Sequence, residues 1–410
     1  MPILPLGVVC VASALGRAGH DVKITEIVPD NDIIEQTAGS VKSFLPDCIG
    51  IAVRNIDNQT MGDTQFLLEP LKTVVDVTRG LTRVPIVLGG AGYSMFPASM
   101  LKFLDADVGI SGEGEQAFPA VVDCMVRGGD ITHIPGVYTP THKPRIRNYC
   151  APDLDAIPMA DPALWACPPR ERREAVVPFQ TRRGCAMNCS YCSTATIEGT
   201  KHRRRRPQTV VENLARHAAA GFRRFYCTDN TFTIPASYAD EFCMTIVEAG
   251  LDISWMSIVY PGNVRESLVG NMARAGCCEV SLGFESGSAA ILRAMNKKYS
   301  LSDVREASGL FARHGIRQMG FLLLGGPGET QKTVNKSLAF ADSLPLDMLK
   351  ITIGIRIYPH TALAATAVAQ KIISPEDDLL LPKFYCAPGL KDWLYDTVKN
   401  WTAQRPHWQL

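Results

Sequence analysis

Two α/β units in tandem are predicted. The first is a doubly wound parallel sheet over residues 1–128. The second is an open, six-unit version of the (β/α) barrel over residues 173–365. Three observations predict this. Short apolar runs at 47–53 and 84–88 have the pattern of strands buried on both faces of a parallel sheet, and they alternate with helical segments. A stretch rich in Pro and polar residues follows at 129–172. A second series then alternates six apolar runs with five helical ones. The 410 residues suit two or three domains.

In order along the chain, residues 6–19 read as a helix closed by Gly19, and 22–28 as a strand. Strands follow at 47–53 and 84–88, with a weaker one at 108–110. Helices are expected at 65–78 and 115–126. The 129–172 linker is expected to be irregular, with part of it packed on a domain surface because it is long for a plain connection. The second series has candidate strands at 176–181, 223–228, 253–258, 279–284, 318–324 and 349–357. Its helices are expected at 208–220, 236–249, 264–275, 302–314 and 330–343. Residues 366–410, with Trp393 and Trp401, read as a small cap.

Composition narrows the function. Hydrophobic residues make up 46% and charged residues 20%, enough apolar surface for cores and unlike a disordered chain. Lys and Arg total 42 against 41 Asp and Glu. That balance argues against a dedicated nucleic-acid binder. No apolar run approaches the ~18 residues of a membrane span. The first residues lack the basic segment of a signal peptide. Most of the thirteen cysteines sit inside apolar runs, as reduced thiols of a cytoplasmic protein do.

Cys185, Cys189 and Cys192 stand apart. They lie within eight residues, spaced C-x3-C-x2-C, directly after the first strand of the second series. Three thiolates on one tight loop can each bind a corner iron of a cubane and leave the fourth iron open. Gly184 allows the sharp turn into that loop. A zinc site or three unrelated thiols is the competing reading, but zinc usually takes four ligands and no Cys-x2-Cys or His pair stands nearby.

This spacing, with Tyr191 before the last cysteine, resembles the signature of radical S-adenosylmethionine enzymes. The resemblance covers nearly the whole chain. It implies a [4Fe-4S] cluster whose open iron chelates S-adenosylmethionine, and reductive cleavage to a 5′-deoxyadenosyl radical. Three further strand ends match, where barrel active sites are built. The resemblance assigns Thr228, Asp229 and Asn230 to the amino group of S-adenosylmethionine. It assigns Glu285 and Ser286 to the ribose, and Gly325, Gly326, Gly328 and Glu329 to the adenine side. Each could instead be a tight βα turn with a helix cap. Arg356, Tyr358 and Pro359 resemble the family's segment on the sixth strand, with a role in substrate contact or barrel closure. The basic run 202–206 reads as a solvated loop before a helix opened by Pro207, as in related enzymes, rather than as an RNA site.

The first unit resembles the cobalamin-binding domains fused ahead of such enzymes, with a flavodoxin-like fold. The resemblance assigns Arg54, Asn55, Gly89, Gly90, Ser94, Gly112 and Glu113 to cobalamin, with the glycines after 84–88 letting the nucleotide tail lie against the sheet. An ordinary flavodoxin-like domain without ligand is the alternative. No D-x-H-x-x-G motif supplies a lower histidine ligand, and His20 reads as structural. Relatives carry a strand before the 6–19 helix, so this sheet is expected to lack its first, central strand.

The leading functional reading is a cobalamin-dependent methyltransferase acting on an unactivated carbon or a phosphorus. The substrate would be a small molecule, a lipid or a natural product. An external donor such as flavodoxin or ferredoxin would supply the electron. A cobalamin-dependent oxidative cyclase or rearrangement enzyme is the runner-up, and a non-catalytic cobalamin or redox sensor is a third class.

Overall fold

The computed structural model describes residues 4–27 and 32–409. Four strands form the first sheet: β1 (Ile49–Ala52), β2 (Ile86–Gly89), β3 (Val108–Ile110) and β4 (Val137–Tyr138), in the order β1-β2-β3-β4. β1, β2 and β3 run parallel, with Ile49 opposite Ile86 and Val87 opposite Val108. β4 pairs antiparallel with β3. The apolar runs behave as buried strands should, since β2 and β3 are covered on both faces.

One expectation needs correction here. Residues 22–27 form no strand, and Val28 lies outside the described residues. The segment keeps the alternation of an extended chain, and Ile24 packs on the second domain's core. Alternation is a local signal, however, and a ladder needs a neighbour. Among the described residues no strand lies beyond β1. The 129–172 segment is largely irregular, and part of it packs on the first domain, both as expected. It supplies β4, bridges Gly112 to Tyr149, and builds a small core from Ala151, Leu154 and Ile157.

The second sheet contains the six expected strands, all parallel: β5 (Val176–Phe179), β6 (Arg224–Cys227), β7 (Ser254–Val259), β8 (Cys277–Glu285), β9 (Arg317–Leu324) and β10 (Met348–Ile353). A seventh, β11 (Trp408–Gln409), pairs parallel with β10. The C-terminal segment is therefore more than a cap, because its last described residues extend the sheet. Its helix Lys391–Thr402 is tied down nearby: Trp401 stacks 4.6 Å from Trp408, and Arg405 pairs with Asp342 at 2.8 Å. β5 and β11 are the two edges, so the sheet is open and not a closed barrel.

Strands β7 and β9, and β8 from Glu279 onward, alternate in burial. Trp255, Val280, Leu282 and Leu322 are buried on one face. Met256, Ile258, Ser281, Met319 and Phe321 stay half-buried on the other, the concave inner face. Period-2 alternation of this kind assigns one face to the core and one to the cleft.

The domains meet through the C-terminal ends of both sheets. Leu88, Tyr93 and Phe96 of the first share one apolar core with Ile291, Met295, Ile357 and Tyr358 of the second. A buried ion pair joins them at one side, with Arg356 Nε 2.8 Å from Asp57 Oδ2 and both side chains at most 2% exposed. Arg356 also donates to the carbonyls of Ile357 and Leu379. Arg356 is thus a clamp between domains. Removing one partner of a buried pair leaves the other charge unpaired, so Arg356→Met should lower stability by about 3–5 kcal/mol. Chemical denaturation measures this, and a loss below about 1 kcal/mol would show that the clamp is not needed.

Candidate functional site

The cysteine loop is held at its base by a two-residue ribbon, Arg182–Arg183 antiparallel to Arg203–Arg204. Gly184 follows with φ +91°, and a Cβ there would lie 2.0 Å from the Lys201 carbonyl. Only glycine fits this turn. The loop is then stitched to its surroundings. Cys185 N–H donates to the Gly199 carbonyl, Ser190 N–H to Met295, and Leu363 N–H to Ser190. The three sulfurs sit half-buried, while Ala186 and Asn188 at the loop tip are exposed.

Two carboxylates near the loop hold backbone amides. Asp229, fully buried, accepts from the amides of Thr181 and Arg182 at 2.8 and 3.2 Å, from the Thr181 hydroxyl, and from Arg182 Nε at 3.1 Å. Glu198 accepts from the Gly184 amide at 3.0 Å and the Asn230 side chain at 2.9 Å. Burial pushes the Glu198 carboxyl up despite those donors.

Lys297 reaches the loop from the other side. Its ammonium lies 3.1 Å from Glu285 Oε1 and 5.2 Å from the centre of the Tyr191 ring. Burial pushes the Cys185 and Cys189 thiols up, and at Cys189 the charge of Lys297 acts in the opposite direction.

The sequence-assigned residues divide into two groups. Asn230, Glu285 and the glycine turn remain beside the loop. Glu285 sits at a bulge in β8 with φ +60°, a conformation uncommon for a residue with a side chain. The side chains of Thr228, Asp229, Ser286 and Glu329 are engaged with neighbouring parts of the chain. The Thr228 hydroxyl donates to the Phe179 carbonyl, and Asp229 anchors the loop as described. Ser286 is fully buried against Ser337 at 3.0 Å. Glu329 Oε2 accepts from the amides of Gly325 and Gly326 at 2.5 and 3.0 Å, which makes it the brace of its own turn. Gly325 and Gly328 both have positive φ, and nothing lies within 4 Å of a Cβ at Gly328.

In the first domain, Arg54 and Asn55 are exposed at the end of β1, with the Arg54 charge acting on Tyr226 of the second sheet. A Cβ at Gly89 would meet only the Ile110 carbonyl, at an ordinary contact distance of 3.8 Å. The other four assigned residues are packed or bonded within the chain. Gly90 has φ +99°, and its Cβ would meet the Val53 carbonyl at 2.6 Å, so only glycine fits this turn. A Cβ at Gly112 would meet the Tyr149 carbonyl at 2.1 Å. The buried Ser94 hydroxyl bonds Gly90 O and Gly112 N, both at 2.9 Å. Glu113 pairs with Arg203 at 2.7 Å and Arg183 at 3.3 Å. Glu115 pairs with Arg183 at 2.6 Å. Burial would raise the Glu115 carboxyl, but Arg183 outweighs it and holds it below the usual range. His20 lies 3.2 Å from Asp123.

The arginines of the basic run are mostly engaged within the chain. Arg203 pairs with Glu113, Arg205 donates to the carbonyls of Leu154 and Ile157, and Arg206 pairs with Asp155 at 3.0 Å. Sequence reasoning missed Asp57, Glu198 and Lys297. None carries a spacing signal, since each acts through a contact distant in sequence.

The donor set fits a four-iron cluster better than a single ion. Among the described residues no three His, Cys, Asp or Glu side chains gather tightly enough for one metal ion. Corner irons of a cubane are spread further apart, and three thiols on one glycine-turned loop suit them. Exposed Arg54 and Asn55 and the uncrowded Gly89, at strand C-termini, suit a cobalamin at the sheet's ligand edge.

Two outcomes follow. Gly90→Ala should destabilise the protein by at least about 1–3 kcal/mol, because it combines a glycine-only backbone with the Val53 clash. A melting temperature equal to wild type would refute that. Burial pushes the Glu329 carboxyl from 4.5 up to about 7. The folded state therefore binds this proton more tightly than the unfolded chain. The resulting stability is present below pH 4.5 and is lost as pH rises through about 7. Glu329→Gln should flatten the fall in melting temperature between pH 5.5 and 8, and an unchanged slope would exclude Glu329 as its source.

Comparison with known proteins agrees with this arrangement. The B12 binding domain model matches residues 2–122, and the Radical SAM superfamily model matches residues 180–341. The uncharacterized methyltransferase PH0819 of Pyrococcus horikoshii is 28% identical over 383 residues, which cover 90% of this chain and 79% of that protein. Tryptophan 2-C-methyltransferase of Streptomyces laurentii is 22% identical, covering 90% of this chain and 73% of that protein. The solved structure of TsrM from Kitasatospora setae, a radical S-adenosylmethionine methyltransferase with cobalamin and a [4Fe-4S] cluster bound, has the same fold. Its TM-score is 0.86 at 20% identity, covering 100% of this chain and 90% of that one. The two domain matches, in this order along one chain, make it a member of the radical S-adenosylmethionine enzymes that carry an N-terminal cobalamin-binding domain.

Proposed function

We propose that this enzyme is a methyltransferase that acts on an unactivated carbon, or on a phosphorus, of a small molecule, lipid or natural product. One observation carries the reading. The Cys185–Cys192 loop and the exposed end of β1 belong to different domains, yet both border the same inner face of the second sheet. A cluster site and a corrinoid site then share one cleft. The relatives above that are named methyltransferases support it.

When bound, the cofactors supply the chemistry: the reduced cluster cleaves S-adenosylmethionine, and cobalamin carries the methyl group. The chain's own residues bind and orient. Cys185, Cys189 and Cys192 would ligate three irons. Asn230 and Glu285 offer polar groups beside the loop, and the Gly325–Gly328 turn offers backbone. Arg54 and Asn55 would border the corrinoid. The half-buried Met256, Ile258, Met319 and Phe321 give the acceptor an apolar wall. The electron would enter at the exposed loop tip, Ala186 and Asn188, from a one-electron donor such as flavodoxin or ferredoxin. All thirteen cysteines are free, which suits a reducing compartment such as the cytoplasm. Among the described residues, no helix is long and apolar enough to cross a membrane.

The test is anaerobic reconstitution with iron, sulfide and cobalamin, then reduction with S-adenosylmethionine present. Methyl transfer predicts S-adenosylhomocysteine as co-product. Cyclisation predicts 5′-deoxyadenosine without it, and a sensor gives neither. Cys189→Ala should lose both the cluster absorbance and 5′-deoxyadenosine. A variant that kept its cluster would remove Cys189 from the ligand set.

A further inference from the structure

Lys297 is delivered to the cysteine loop by local structure. The helix Ala289–Ala294 ends at Met295, and Asn296 follows in the left-handed region with φ +59°. Asparagine tolerates this conformation at a helix end. The turn is then bonded to the loop twice. The Met295 carbonyl accepts from Ser190 N–H at 3.0 Å, and the Asn296 side chain donates to the Asn188 carbonyl at 2.6 Å. Ser190 and Asn188 flank Cys189, so the next side chain along the turn has little choice of direction. It packs over the Tyr191 ring, pairs with Glu285 at 3.1 Å, and brings its charge to bear on the Cys189 thiol.

A cation in this place is not explained by stability alone. The Lys297 side chain is 7% exposed, and burying an ammonium costs free energy unless it is paired. Its carboxylate partner, Glu285, is itself held at a bulge with positive φ. A salt-bridged pair buried beside a metal-ligating sulfur is a poor way to gain stability, since an apolar pair of similar volume often does as well. It does bring a fixed positive charge against one of the three sulfurs.

Resting on the cluster assignment above, we propose that Lys297 is a positioning residue that sets the reduction potential of the cluster through Cys189. Hydrogen bonds to the sulfurs and nearby net charge are among the levers that set such potentials. Reduction adds one electron to the cluster and no compensating proton. A fixed ammonium at the sulfur stabilises the reduced state more than the oxidised one, and so raises the midpoint potential. Glu285 acts in the opposite sense, but it meets the ammonium rather than the sulfur.

The experiment is a potentiometric titration with dithionite, read by the electron paramagnetic resonance of the reduced cluster, without S-adenosylmethionine. Wild type, Lys297→Arg, Lys297→Met and the double variant Lys297→Met/Glu285→Gln are reconstituted and matched for iron and sulfide. The double variant carries no orphaned carboxylate, so it answers the question even where Lys297→Met folds poorly. The expected order of midpoint potentials is wild type and Lys297→Arg highest, the double variant lower, and Lys297→Met lowest. A double variant titrating at or above wild type, with full iron, would overturn the proposal. So would Lys297→Arg titrating with Lys297→Met. A wild-type chain with no four-iron signal would overturn the cluster assignment and this proposal together, whereas a full signal with an unmoved midpoint overturns this proposal alone.

Discussion

Arg183 stands two residues before Cys185 and is buried against two carboxylates of the other domain, Glu115 at 2.6 Å and Glu113 at 3.3 Å. Much of the site depends on this contact. Glu113 and Glu115 open the helix that follows β3, so their position is set by the first sheet. Arg183 belongs to the ribbon that closes the cysteine loop, so its position is set by the second. Between them, the ion cluster fixes where the loop stands relative to the corrinoid edge. On the other side, Asp57 and Arg356 do the same for the end of β1. Two buried pairs far apart resist hinge rotation as well as separation. Their net worth in stability is modest, because each charge was well solvated before folding. Their worth in specificity is larger, because every misaligned docking of the domains leaves a charge buried without its partner.

Within that frame, the strand-end motifs work differently from a set of ligands. Asp229, Ser286, Ser94 and Glu329 all lie where ligand-binding residues are expected, yet each side chain is turned into the protein and holds a backbone turn. Asn230 and Glu285 have intrachain partners too, in Glu198 and Lys297, whereas Arg54 and Asn55 are exposed at the end of β1. A cofactor site built this way is shaped first by braced turns and only then decorated by contacts. Such bracing limits the wandering of a loop whose ligands must meet corner irons with little tolerance.

The second domain was legible in the sequence almost strand by strand, because apolar alternation and the helices between are local signals and each unit repeats them. The cysteines were legible for the same reason, since their spacing is local. Three things were not. The 22–28 segment alternates like a strand, but pairing depends on a neighbour that periodicity does not report. The two-residue β11 is too short to leave a pattern and exists because β10 offers it an edge. The facing of Asp229 or Ser286, inward or toward the cleft, is decided by partners such as Thr181 and Ser337, some 50 residues distant. A motif says that polar groups collect at a strand end. It does not say which of them the protein uses on itself.

Charge pairing around the site shows one more regularity. Asp57, Glu113, Glu115, Asp229 and Glu285 each have a basic partner, in Arg356, Arg203, Arg183, Arg182 and Lys297. Among the described residues Glu198 and Glu329 have no ion-pair partner within 4 Å, and burial pushes both of these carboxyls up. Both brace glycine turns, Glu198 at Gly184 and Glu329 at Gly325 and Gly326. The division has a physical logic. A carboxylate clamped to arginine is a fixed charge and holds two elements together. A carboxyl that faces backbone amides can accept their hydrogen bonds in either protonation state, so its turn survives a change of charge nearby. The turns at Gly184 and Gly325 flank the places where a cluster and a sulfonium cofactor would bring new charge into the cleft. Bracing them with the unpaired carboxyls lets the local field change without dismantling the loops that hold the cofactors.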